Sequence, residues 1–349
     1  RKVDIEPKED DIWIISNPIE QQIKQKIELK GTPLKDWDIE INYGIKTGYN
    51  DAFIIDTDKR NELVKGDPKC AEIIKPILRG KDINRYNADW ANLWLINTHN
   101  GYNGTPRINV EGYPSIKNHL DNYLPQLEKR YDKGDAPYNL RNCAYVDLFN
   151  KRNLFYPDIC QSLSFCVVEN TFTNNTGYFL NTDNLYLLTV LNSKLINYYF
   201  KFISAQLGES GIRCFTIYIE KIPIPELKED DYKLFIDKAD LMLGLNKELQ
   251  ELINSFVRSL GRRFEGLELS NKLKDWHLLE FKVFIKELAK KKIKLTLSQE
   301  AEWEEYFNQE KEKTIEIKNK IDLTDREIDK MVYELYGLNN EEIAIIEGK

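Results

Sequence analysis

Apolar positions fall into two regimes, and the change comes at Ile222-Pro223-Ile224-Pro225-Glu226. Ahead of it, apolar runs are short and bounded by Gly, Asn, Asp and Pro. Residues 52–56, 92–96, 154–156, 165–168 and 177–180 predict strands. Helices are predicted over 19–29, where Ile19, Ile23 and Ile27 recur every fourth residue, and over 115–133. A third runs over 185–204 through Leu188, Leu191, Leu195, Ile196 and Tyr199.

Two alternating prolines then stiffen an extended segment and block helix continuation. Beyond them the pattern is helical and strongly charged. Residues 231–260 place Phe235, Ile236, Ala239, Leu249, Leu252, Ile253 and Phe256 at helical spacing. Residues 271–293 repeat this through Leu273, Trp276, Phe284, Ile285 and Leu288, with Ser270 as N-cap. Thr296-x-x-Gln299 predicts a capping box for a helix through Trp303, Phe307 and Ile317. Thr324-x-x-Glu327 predicts a second box and a short helix that Gly337 ends. The expected fold class is α+β: an irregular mixed-sheet domain over 1–225, followed by an all-α helical extension over 226–349.

The chain has 349 residues, 42% hydrophobic and 31% charged, as an ordinary globular protein does. No apolar run approaches the roughly 18 residues that cross a bilayer, so no membrane partner is expected. The charged opening does not read as a signal peptide. The start at Arg1, with methionine only at Met242 and Met331, reads as a piece of a longer polypeptide. Cys70, Cys143, Cys160, Cys166 and Cys214 are odd in number and scattered, which points to a reducing cytoplasm. His99, His119 and His277 lie far apart, so no metal site is expected. Of the net charge of −7, residues 226–349 carry −6 and residues 1–225 carry −1. A near-neutral domain binds nucleic acid where its cations cluster, so composition permits DNA binding without indicating it.

The least ordinary segment is residues 42–51, Asn-Tyr-Gly-Ile-Lys-Thr-Gly-Tyr-Asn-Asp. Gly44 and Gly48 allow close backbone approach to a ligand. Lys46 and Thr47 suit phosphate, and Tyr43, Tyr49 and Asn50 suit base stacking or base edges. A tight turn before a strand explains the same residues. The P-loop spacing is missing, which excludes that mode of triphosphate binding. Arg79, Lys81 and Arg85 cluster around Gly80 beside Tyr86. They suit phosphate or guanine, and equally a solvated turn. A third loop, 206–215, combines Gly208, Ser210, Gly211, Arg213 and Phe215. Lys290, Lys291, Lys292 and Lys294 read as a helix end beside solvent, or as a DNA-backbone contact.

Catalytic patterns are absent from the sequence. Ser16-Asn17-Pro18-Ile19 lacks the second proline and aromatic of an adenine methyltransferase loop. Pro157-Asp158 has no Glu-x-Lys near it in sequence for a metal-dependent nuclease. Three isolated histidines make no Ser/His/Asp arrangement.

Residues 41–55, 76–83, 156–159, 191–195 and 218–225 together resemble the TaqI-like C-terminal specificity domain, over roughly 12–225. Residues 327–338 resemble the C-terminal end of single-chain restriction–methylation enzymes. The resemblance implies recognition of double-stranded DNA for an N6-adenine methyltransferase and a type II restriction endonuclease located upstream in the parent chain. It implies no catalytic residue and no cofactor here, with S-adenosylmethionine and Mg2+ used by the parent. The expected DNA-contacting set is Tyr43, Gly44, Lys46, Thr47, Gly48, Tyr49, Asn50, Arg79, Lys81, Arg85, Ser210 and Arg213. A protein-interaction scaffold, with acidic helices that bind a partner subunit, is the alternative from another class.

Overall fold

The computed structural model describes residues 18–208 and 211–349. Ser16, Asn17 and Ser210 lie outside them. Two compact units are present: residues up to Tyr232 together with Met331–Lys349, and Lys233–Lys330. The fold is α+β, with a helical C-terminal region.

The first unit is built on two four-stranded sheets. In one, Asn153–Pro157 pairs antiparallel with Cys166–Val168 and with Gly177–Leu180, which pairs in turn with Ile41–Tyr43. In the other, Ile74–Leu78 lies between Phe172–Thr173, parallel to it, and Leu93–Ile96, antiparallel, with Ile54–Asp56 at the far edge. The core between them is aromatic. Phe149 stacks on Phe172 at 4.6 Å and Phe155 on Phe179 at 5.4 Å, all four buried.

Several predicted elements are divided, each for a local reason. The 185–204 helix is two, Leu185–Leu191 and Lys194–Ile203. Asn192 turns its amide to the Phe165 backbone, accepting from N–H at 2.9 Å and donating to C=O at 2.9 Å. Ser193 then caps the second helix through Ile196 N–H. The 115–133 helix is also two, Pro114–Asp121 and Leu124–Lys129. Pro125 lacks the N–H a continuous helix would need. Residues 52–56 are not one strand: Asn50–Phe53 form a helical turn that buries Ala52 and Phe53, and only Ile54–Asp56 is extended.

The Pro223–Ile224 segment is buried structure rather than a linker. It pairs with Thr32–Pro33, and Leu34 N–H donates to Ile222 O. The C-terminal residues also belong to this unit. Tyr336 Oη donates to Pro223 O at 2.6 Å, and Lys26 meets Glu342 at 2.8 Å, on the helix Asn340–Ile346. Burial of Tyr336 draws 331–349 back to the first unit, so they do not end the helical extension.

The second unit has an aromatic core. Phe256 stacks on Trp276 at 3.8 Å and on Tyr306 at 5.3 Å, with Phe284 and Phe307 against them. Ser270 caps as predicted, and Thr296 and Gln299 exchange the two bonds of a capping box. The second predicted box does not open a helix. Leu297–Tyr336 is continuous, and Thr324 Oγ1 donates to Lys320 O inside it.

Burial, reinforced by Lys318, pushes His277 down to about 4. The unfolded chain takes up this proton below about pH 6.5, before the native chain does. The stability contribution is therefore complete above pH 6.5 and is lost as pH falls towards 4. The expected loss is about 1–2 kcal/mol, allowing for solvent screening at a part-exposed ring. Urea denaturation across pH 4–7 should show this loss, and His277→Gln should flatten it. An unchanged slope in the variant would assign the acid sensitivity elsewhere.

Candidate nucleic-acid interface

Two of the loops singled out in the sequence meet at one turn, Thr173-Asn174-Asn175-Thr176-Gly177. Gly44 N–H donates to Gly177 O at 2.9 Å and Ile45 N–H to Thr173 O at 2.7 Å. Gly80 N–H donates to Thr176 Oγ1 at 2.8 Å, and Asp158 N–H to Thr176 O at 2.9 Å. Asn174 Oδ1 holds the turn closed by accepting from Thr176 N–H and Oγ1. Arg213 joins through Asp158, its Nη1 lying 3.0 Å from Oδ2. Tyr178 is opposite Tyr43 across the sheet, and its hydroxyl is pushed up by burial and by the nearby Asp158.

This packing gives two of the glycines a specific role. A Cβ on Gly44 would lie 2.0 Å from Asn174 O, and one on Gly80 would lie 2.1 Å from Thr176 O. Both therefore admit the neighbouring backbone of this chain.

The side chains around them differ in availability. Tyr43 is exposed, edge-on to Tyr145, with Lys46 Nζ 5.5 Å from its ring centre. Among the described residues, Lys46 and Lys81 have no carboxylate at ion-pair distance. Thr47 is buried and donates to Asn50 Oδ1 at 2.6 Å. Tyr49 is half-buried against Tyr123, while Gly48 and Asn50 are exposed.

Arg79 presents its guanidinium to Asp82 through both Nε, at 2.9 Å, and Nη2, at 2.7 Å. That fork is the geometry bidentate guanine contact would need, so Asp82 occupies it. Arg85 lies on the hairpin of Ile83–Asn84 and Asn87–Ala88, 5.7 Å from the Tyr86 ring centre, and does not line the cleft. Arg213 is paired with Asp158 and lies 5.1 Å from the ring of the exposed Phe215.

A polar cleft of about 280 Å³ is lined by residues 46–50 with Asp132 and Asn175. A narrow crevice on the other side of Lys46 is lined by Tyr43, Arg141 and Asn142, among others. Arg141 Nη1 bonds Asp132 Oδ1 at 2.9 Å, which offsets the acid at the cleft wall.

Beneath the cleft is a residue outside the expected DNA-contacting set. Arg130 is buried and donates to Thr47 O, Asn139 O and, at 2.9 Å, Pro137 O. Its guanidinium carbon lies 4.4 Å from the Phe53 ring centre. Desolvation pushes Arg130 down to about 10, leaving it cationic at neutral pH. The 173–177 turn also lies outside the expected set, although its Asn-Asn-Thr-Gly string is a turn signal between two strands.

Residues 75–224 match the family described as the TaqI-like C-terminal specificity domain. The specificity-domain match takes in the 173–177 turn, Arg79, Lys81, Arg85 and Arg213 and leaves out the Gly44 loop, so it is narrower than the 12–225 resemblance. Residues 228–332 match a second family, described as a domain of unknown function (DUF8810). No curated protein matches the chain.

Among solved structures, the chain is similar to the type IIL restriction-modification enzyme MmeI, solved in complex with DNA. The TM-score is 0.54 and the identity 14%, over 90% of this chain and 35% of MmeI. The likeness is one of fold. A second similar structure is the type IIG restriction endonuclease BpuSI, with TM-score 0.43 and 16% identity over 64% of this chain and 28% of that one. The chain thus spans about a third of each enzyme's length. No helix among the described residues is long and apolar enough to cross a membrane.

Proposed function

We propose that the first unit recognises a sequence in double-stranded DNA for a restriction–modification enzyme. The observation that carries this reading is the specificity-domain match over 75–224, whose 173–177 turn holds the Gly44 and Gly80 loops directly and reaches Arg213 through Asp158. The cleft and the exposed side chains outside it supply the chemistry. Lys46 and Lys81 are available to phosphates, and the exposed Asn50 and Asn175 amides suit base edges. Tyr43 offers an exposed ring. Arg79 and Arg213 act first as braces through Asp82 and Asp158. Either reads a base only by exchanging its carboxylate for that base.

On this reading the parent's N6-adenine methyltransferase and endonuclease domains lie upstream and receive the DNA positioned here. S-adenosylmethionine and Mg2+ serve those domains, and the setting is cytoplasmic.

The test is binding of the chain to a randomised duplex pool, followed by exchange of this region in a parent enzyme. Affinity should fall as salt rises, with a log–log slope of about −2 for the two phosphates that Lys46 and Lys81 neutralise. Lys46→Ala should lower that slope by about one and weaken all sequences alike. Exchange with a relative should transfer the relative's target sequence. A parent that kept its own target after the exchange would end this reading.

A further inference from the structure

Cys160 and Cys214 lie on paired strands, Ile159–Cys160 and Ile212–Arg213 with its continuation. Ile212 is opposite Cys160 and Arg213 opposite Ile159, and Cys214 N–H donates to Asp158 O at 2.8 Å. Side chains two residues apart on a strand share a face, so Cys160 and Cys214 point to the same side. Their sulfurs are 3.0 Å apart. Both are free thiols, Cys160 partly exposed and Cys214 buried. In the sequence 54 positions separate the two cysteines. The fold makes them neighbours.

We infer that Cys160 and Cys214 form an oxidisable dithiol that a hydroperoxide converts to an intramolecular disulfide. Only about 1 Å of closure separates the sulfurs from the bonding distance of about 2.05 Å. The accessible Cys160 sulfur attacks the peroxide O–O bond, forming an S–O bond and releasing the other oxygen as water or an alcohol. Cys214 sulfur then attacks Cys160 sulfur. The S–S bond forms, the S–O bond breaks, and the hydroxyl leaves as water with the Cys214 proton. Two thiols are oxidised by two electrons, and the peroxide is reduced by two. The bond fastens the Arg213 strand to the Asp158 strand. A reducing thiol pool reverses it.

The test treats the whole folded chain with a small excess of hydrogen peroxide, then blocks and counts thiols after denaturation. Five thiols should fall to three, the intact mass should drop by about 2 Da, and peptide mapping should join Cys160 to Cys214. Dithiothreitol should restore five thiols. Cys160→Ser and Cys214→Ser should each abolish the cross-link without altering the circular dichroism spectrum. A gain of about 32 Da at Cys160 with no cross-link would overturn the inference, as would a bridge to Cys70, Cys143 or Cys166. Covalent dimers as the main product would also overturn it. The readout is a thiol count and needs no DNA.

Discussion

Gly44→Ala is expected to destabilise the first unit by about 3–5 kcal/mol, although it adds one methyl group. The new Cβ would lie 2.0 Å from Asn174 O and 2.4 Å from Thr173 O, both backbone atoms that no rotamer change can move. The backbone at residue 44 cannot swing aside cheaply. Its N–H is committed to Gly177 O, and the next N–H to Thr173 O. Relief therefore means breaking the junction that joins the Gly44 loop to the turn carrying Gly80 and Asp158. The comparison is Gly104→Ala, where φ is +80° and nothing lies within 4 Å of the added Cβ. That substitution meets only backbone strain, about 1–2 kcal/mol. Urea denaturation of the two variants separates the cases. Equal losses would mean that the 173–177 turn does not press on Gly44.

Strand and helix types were visible because each responds to its own periodicity: Gly177–Leu180 as an apolar run, Ile23 and Ile27 as one helical face. The breaks were harder, because Asn192 ends a helix by bonding Phe165, 27 positions away. The continuity of Leu297–Tyr336 through Thr324 was hidden for a related reason. A threonine is a cap only if its hydroxyl faces a free N–H, and here it faces Lys320 O.

The candidate site was legible as a set of loops but not as a geometry. Lys46 and Asn50 line one cleft. Arg79 and Arg213 looked like free cations because Asp82 and Asp158 count as ordinary acids until the fold turns them inward. Glycine was the most ambiguous signal, since close approach to DNA and close approach to one's own backbone demand the same missing Cβ.

Arg130→Met is expected to cost about 2–4 kcal/mol and to loosen the 46–50 loop more than any single cleft substitution. Three carbonyl oxygens, of Thr47, Pro137 and Asn139, accept from this one guanidinium. Charge-assisted bonds contribute about 1.5–3 kcal/mol each, so their sum would reach roughly 5–9 kcal/mol. Burying the cation opposes that sum, and the downward push on its pKa records the opposition. Methionine removes both terms. It fills part of the volume against Phe53, but leaves the Thr47 and Asn139 carbonyls without their buried donor.

Arg130→Lys should not rescue stability, because an ammonium cannot spread donors across three carbonyls as a planar fork does. Amide hydrogen exchange distinguishes a local brace from a general core defect. Protection should fall at Ile45, whose N–H is bonded to Thr173 O and which leads directly into the braced loop, and stay near native at Phe155 in the central strand. Equal loss at both would make Arg130 a core residue with no particular hold on the cleft. With the selective loss, DNA affinity should fall while the salt dependence keeps its slope, because Arg130 positions the Lys46 loop and contacts no phosphate itself.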